Sequence, residues 1–192
     1  LHLDRLLAEG GGKVGYGPTG ARAAITARLT GHGGWRGLGQ VRAADGPEMV
    51  ALKRAAQAFQ VSGPAVGLNL EGGALAVSLP RAIAVRADRG GVLSVSARGA
   101  APLLGPGGGA LRLALKGPGL PSLDADIARL SLDGGAVSAR GELRATGAFG
   151  PVRGATLDAA GALRVAGGAV SFTADRCAPV SADEVDFGAN DI

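Results

Sequence analysis

The 192-residue chain is long enough for a domain with a core, and 46% hydrophobic residues set it apart from disordered sequences. Its apolar content is skewed: 35 glycines stand beside one Trp, one Tyr and four Phe, so small, β-branched and Leu side chains must do the burying. The formal charge of +4 comes from single arginines scattered between apolar residues, which reads as solvated strand faces or an attraction to anionic lipid headgroups. The scarcity of aromatic stacking platforms argues against a nucleic-acid partner.

In chain order, the first dozen residues read as the remnant of a helix. GYGPTG then matches the GxGxxG spacing at Gly15, Gly17 and Gly20, but Pro18 sits inside it and no strand–helix–strand series follows, so it is not a dinucleotide fingerprint. Gly12-Lys13 likewise lacks the Ser or Thr and the distal Gly of a phosphate loop. RAAITARLTG reads as a strand ending at a Gly-rich turn. Trp35, in GHGGWRGLG, is either a packing residue at a sheet corner or a ring offered to a membrane interface.

DGPEMVALKRAAQAFQ breaks the strand pattern. Asp45 stands three residues before Glu48, a capping-box spacing, and Met49, Leu52, Ala56 and Phe59 fall on one helical face. These predict one amphipathic helix over Pro47 to Gln60, within an insertion of about 46–60, lying on the sheet or at its edge.

An internal repeat follows. Gly72-Gly73, Gly90-Gly91 and Gly108-Gly109 each open an apolar stretch, with looser copies at Gly134-Gly135 and Gly167-Gly168. Within the copies Leu75, Val77 and Leu79, then Leu93, Val95 and Ala97, then Leu111, Leu113 and Leu115 alternate with Ala, Ser or Arg. Period two means strands with one apolar face, and Gly-Gly supplies the positive φ of tight turns. The prediction is a mainly β chain: an antiparallel meander of ~6 to 8-residue strands forming a twisted open sheet or groove. SLDADIARLSLD carries two apolar phases, Leu123, Ala125 and Ile127 against Leu130 and Leu132, which a bulge near Ala128 reconciles. Residues 176–192 read as a turn, a short strand and a frayed tail.

Chemistry-bearing constellations are sparse. His2 and His32 lie far apart in sequence, Cys177 is the only cysteine, and no Ser sits in a GxSxG elbow. These features predict no metal, no cofactor and no nucleophilic catalysis. Asp124 and Asp126 share a strand face and, with Glu142, are the carboxylates a hydrolytic β domain would use, although a solvated face explains them too. The acidic residues Asp183, Glu184, Asp186 and Asp191 lack the DxDxDG order of a calcium loop. The chain starts at Leu1 without a signal-peptide pattern, so it is expected to be one section of a larger protein whose targeting signals lie elsewhere.

A repeated meander with one greasy face must pair that face with a second sheet, close it, or hold something apolar. Small inward residues leave room for lipid chains, whose exposure to water costs about 0.8 kcal/mol per methylene. The GG-A-L-x-V-x-L strands, the interposed GPEMVALKRAAQAFQ helix and the RCAPV turn resemble the AsmA-like, YdbH-type proteins of Gram-negative envelopes, over Ile25 to Asp186. That resemblance implies a β-groove (β-taco-like) section of a non-enzymatic periplasmic bridge. Such a bridge is anchored in the inner membrane through a part outside this chain and carries phospholipid between inner and outer membranes. Under it, Leu75, Val77, Leu79, Leu93, Val95, Leu111, Leu113, Leu115 and Phe172 line the groove. The alternative is a structural or adhesive β-solenoid of an exported protein, with stacked parallel rungs and no lipid cargo.

Overall fold

A computed structural model describes residues 2–18, 20–35, 40–43, 45–105, 107–133, 135–149, 152–167 and 169–185. Gly134, Gly168, Asp186 and Asp191 therefore lie outside the described residues. The described residues form one open sheet of thirteen strands, and every pairing in it is antiparallel.

The opening residues are strand, not helix. β1 (His2–Gly17) and β2 (Gly20–Gly34) form a long hairpin, and the GxGxxG match is its turn, with Gly17 facing Gly20 and Gly20 at φ +97°. β3 (Phe59–Glu71) lies beside β2 and serves two short strands at once. β4 (Ala74–Ser78) pairs with its end, and β5 (Ile83–Ala87) with its beginning. The meander continues through β6 (Val92–Ala97), β7 (Gly109–Lys116), β8 (Ser122–Asp133), β9 (Ala136–Phe149) and β10 (Val152–Ala166). Along β10 lie three short pieces in line: β11 (Ala169–Ala174), β12 (Val180–Ser181) and β13 (Glu184–Val185). The described part of the tail carries two short strand pieces, where the sequence suggests one, and residues 186–192 lie outside the described residues.

Six strands run to twelve residues or more, longer than the predicted ~6 to 8, and three of the five register shifts among the described residues fall on one common line across them. The register shifts between Ala27 and Leu29 in β2, between Gly109 and Leu111 in β7, and between Ile127 and Arg129 in β8, where a bulge at Ala128 was expected. At the same level β4 gives way to β5, and β6 to residues 98–105, which cross over to bridge Val77 through Leu104. The level continues at Gly141 and Gly161, where a Cβ would run into the Asp126 and Thr173 carbonyl oxygens of the neighbouring strands. Bulges and glycine kinks are how a sheet acquires curvature, so the sheet is creased along this line. Burial concentrates there: Val66, Leu79, Ala110 and Leu111 are the larger part of the buried apolar set.

The 18-residue repeat does not map onto equivalent units. Gly72-Gly73 is a two-residue hairpin turn with both φ positive (+57° and +82°), whereas Gly108-Gly109 leads out of a crossing loop into β7. The antiparallel pairing also removes the parallel-rung solenoid.

The single helix among the described residues, α1 (Pro47–Gln57), is shorter than the sequence suggests: Phe59 and Gln60 already belong to β3. Its N-cap is Gly46 rather than Asp45, without a side-chain cap hydrogen bond. Met49, expected on the packed face, is exposed. Ala51 and Ala55, one turn apart, instead face the turns before β6 and β8 at Gly91 and Gly119. Backbone bonds from Trp35 N to Ala56 O (2.7 Å) and from Asp88 N to Ala58 O (3.1 Å) tie α1 across one end of the sheet.

The crease is testable by glycine replacement. Gly141→Ala should lower unfolding free energy by about 1–3 kcal/mol, the usual cost of overpacking, whereas Gly11→Ala, with open space at its Cβ, should change it by less than ~0.5 kcal/mol. Urea denaturation of both variants measures this.

Candidate functional site

The cross-strand register puts one apolar face on the whole sheet. A single row of facing residues runs Leu6, Gly31, Val61, Val85, Leu93, Leu115, Leu123, Ala145, Leu157, Val180, passing through ten strands without a polar side chain. The next row, Ile83, Val95, Leu113, Ala125, Leu143, Ala159, is equally apolar. Beyond the crease, Ile25, Leu68 and Val77 continue the face on one side, and Leu130, Ala139, Leu163 and Phe172 on the other.

Of the residues expected to line a groove, Leu75, Val77, Leu93, Val95, Leu111, Leu113, Leu115 and Phe172 all share this face. Leu75 and Phe172 are exposed, and Leu93, Val95, Leu113 and Leu115 are partly so. Leu79 departs from the expectation. It follows the end of β4 and is only 5% exposed, a packing residue in the crease rather than lining, and Leu111 is buried there as well. Sequence reading placed Leu123 in an apolar strand phase without assigning it to the groove, and it missed Leu143, Leu157 and Leu163, although the same alternation marks them.

Among the described residues every strand belongs to this one sheet, and no side chain reaches full burial, although Ala125 and Ala145 in these rows are buried. The accessible surface is 12366 Å2, whereas a compact monomer of this mass exposes about 8,300 Å2. Apolar surface accounts for part of that excess: Leu6, Leu68, Leu75, Leu132, Leu163, Phe172 and Val180 are all exposed on the apolar side.

The opposite face is polar and charge-paired. Arg112 and Arg98 both reach Asp126 through Nε, at 3.1 and 2.7 Å, and Arg140 Nη2 reaches Asp175 at 2.7 Å. Arg144 donates to both oxygens of Asp158, at 2.7 and 2.9 Å, a fork geometry that holds the Asp158 carboxyl below its ordinary pKa and the guanidinium above its own. Both Arg112–Asp126 and Arg144–Asp158 span fourteen residues across a hairpin, a spacing that becomes legible once the register is known.

A cavity of about 930 Å3 lies on this polar side under the turn carrying Arg176, Cys177 and Pro179. It gathers Asp124, Asp126, Glu142 and Asp158, the carboxylates a hydrolase would need. Two of the four are committed to arginines, however, and Asp158 is held ionised rather than poised as an acid. The first hairpin brings His2 and His32 close in register, and His2 Nε2 sits 3.4 Å from Asp4 Oδ1. Among the described residues no group of three or more His, Cys, Asp or Glu is placed to hold a metal ion, and no helix is long and apolar enough to cross a membrane.

At the capped end, Lys53 turns back from α1 to Asp45, with Nζ 2.8 and 2.9 Å from its two oxygens and 3.1 Å from the Gln40 carbonyl oxygen. Both side chains are nearly buried. This replaces the capping box: Asp45 anchors the helix by ion pairing, not by capping it.

Searches against protein-family models, curated proteins and solved structures find no match to this chain.

The Lys53 hydrogen bond, followed by the Arg42 backbone N–H, lowers the Asp45 pKa below its ordinary 3.8. A lowered folded-state pKa stabilises the fold above the unfolded value, and that contribution is lost as pH falls through the folded value. Fluorescence of Trp35, the sole tryptophan, should therefore report loosening of α1 only below about pH 3.8. Asp45→Asn should already be loosened at neutral pH and show no such step. A variant matching the parent throughout would refute the anchoring role.

Proposed function

We propose that this chain is a non-catalytic, lipid-carrying section of a larger β-sheet protein of the bacterial envelope. In this reading the apolar face holds phospholipid acyl chains, and the rest of the protein connects the section to the inner and outer membranes across the periplasm. The observation that carries it is the unbroken apolar row through ten strands of one sheet. Monomeric soluble proteins rarely expose apolar patches beyond a few hundred Å2 without a partner for them.

The cargo follows from transfer energetics. A 16-carbon acyl chain costs roughly 12 kcal/mol to expose to water, and a continuous apolar surface removes most of that barrier at every point of its path. Ala and Gly interspersed with Leu and Val keep the face low in relief, which suits a flexible chain better than a rigid ligand with a fixed outline. The charged reverse face keeps the sheet oriented, with one side wet and the other greasy. Leu93, Val95, Leu113 and Leu115 are the residues we assign to acyl contact, with Leu75 and Phe172 beyond the crease.

The test is purification from a bacterial periplasm without added lipid, followed by native mass spectrometry and lipid extraction. Phospholipid should accompany the protein. Leu113→Asp should abolish co-purification while Arg112→Asp, its neighbour on the reverse face, retains it. A folded protein free of lipid, or equal loss in both variants, would overturn the reading.

A further inference from the structure

Across most of the sheet the ladder sets acids opposite arginines. Arg22 faces Glu71, Arg28 faces Glu9, Arg112 faces Asp126, Arg144 faces Asp124 and Asp158, and Arg153 faces Glu184. One place departs from this rule. Beyond the crease Arg129 of β8 stands directly opposite Arg140 of β9, and Arg164 of β10 lies diagonally across from Arg140. All three are on the polar side, in the phase that alternates with Leu130, Ala139 and Leu163.

Like charges directly opposite one another are destabilising, and diagonal neighbours are still only about 7–8 Å apart. The fold gives these three guanidinium groups one acid between them: Arg140 donates a hydrogen bond to Asp175, at 2.7 Å. Among the described residues Arg129 and Arg164 make neither a hydrogen bond nor an ion pair. Asp133 and Glu142, two residues along the same face from Ser131 and Arg140, pair with none of the three.

The arginines surround a recess rather than a flat surface. A cavity of about 300 Å3 is lined by Arg129, Arg140 and Arg164 together with Ser131, Ser138 and Ser171, and among the described residues no carboxylate lines it. The register sets the serines in one row with Arg164: Ser131 faces Ser138, Ser138 faces Arg164, and Arg164 faces Ser171. Each hydroxyl can donate to an oxyanion, and each guanidinium fork matches phosphate oxygens in pairs. An anion seated here converts the Arg129–Arg140 repulsion into a shared attraction. The volume stands at the small end of ligand sites, roughly 300–1,000 Å3, which suits a phosphate group bearing a small substituent.

We infer that Arg129, Arg140 and Arg164, with Ser131, Ser138 and Ser171, form a binding site for a phosphate ester on the reverse face of the sheet. The ester belongs either to a lipid headgroup or to a small soluble molecule, and the recess recognises the same chemistry in both. The site stands on the face opposite the acyl-contact residues, so the inference is independent of what those residues carry.

The experiment is calorimetric titration of the full chain with glycerol 3-phosphate, with circular dichroism confirming the fold of each variant. The parent should bind it. Arg129→Gln and Arg164→Gln should each weaken binding by roughly tenfold to a hundredfold, the loss of one charged hydrogen-bonding partner, and R129Q/R164Q should abolish it. Arg153→Gln removes the same charge roughly 36 Å away along β10. It should leave affinity within about twofold, because that separation exceeds the Debye length of about 10 Å at 0.1 M salt. Urea denaturation adds a readout that a structural role would not give. Without ligand Arg129→Gln should unfold at no lower urea than the parent, since a repulsion is relieved, and glycerol 3-phosphate should stabilise the parent but not R129Q/R164Q. Flotation with phosphatidylcholine vesicles, with and without phosphatidic acid, identifies the source of the ester. Recruitment that requires phosphatidic acid and is lost in R129Q/R164Q assigns the site to a lipid headgroup. Binding of glycerol 3-phosphate without such recruitment assigns it to a soluble ester. Failure to bind either probe overturns the inference, as does binding that survives R129Q/R164Q or falls equally in Arg153→Gln.

Discussion

Everything in this molecule depends on the two-residue period of an extended chain. Because successive side chains point to opposite sides, a sequence that alternates Leu or Val with Arg, Ser or Asp separates greasy from wet as soon as it pairs. Backbone hydrogen bonding then spreads that separation sideways from strand to strand. With every pairing antiparallel and the register conserved through ten strands, local alternation becomes a molecular face. Among the described residues nothing else supplies comparable organisation: the one helix there is eleven residues long and sits at an end.

The crease is the second constraint. Long strands in a wide sheet twist, and a single layer of thirteen strands needs places where the ladder yields. Here several yielding points align: register shifts between β2 and β3, β7 and β8, and β8 and β9, glycines in β9 and β10, and breaks between β4 and β5 and between β11 and β12. The same line collects most of the buried apolar residues, so curvature and what core there is arise together. On the reverse face Arg112–Asp126 and Arg144–Asp158 join neighbouring strands, whereas Arg98–Asp126 and Arg140–Asp175 reach past an intervening one.

The sheet itself was legible in the sequence, because Leu75-x-Val77 and Leu111-x-Leu113-x-Leu115 show their period without help from tertiary structure. So was the bulge at Ala128, since two apolar phases in one strand allow few other solutions. Three things were hidden. The opening HLDRLLAEGGG has helical-looking apolar spacing, and only pairing with β2 makes it a strand. The extent of α1 was overestimated because Phe59 fits the helical face as well as it fits the first position of β3. Asp45 was read as a cap from its spacing to Glu48, whereas its partner is Lys53, eight residues away and set by the fold of the intervening turn. For the candidate site, alternation identified the face but not the burial of Leu79 and Leu111, which depends on where the crease falls.

The measurement that bears most directly on the central claim is site-specific photo-crosslinking of lipid in living cells. A benzophenone amino acid placed at Leu115 and, separately, at the adjacent Ala114 samples the two faces at one point of one strand. The account predicts phospholipid adducts from position 115 and none from 114. Adducts from 114 alone, or from neither position in a folded protein, would contradict it.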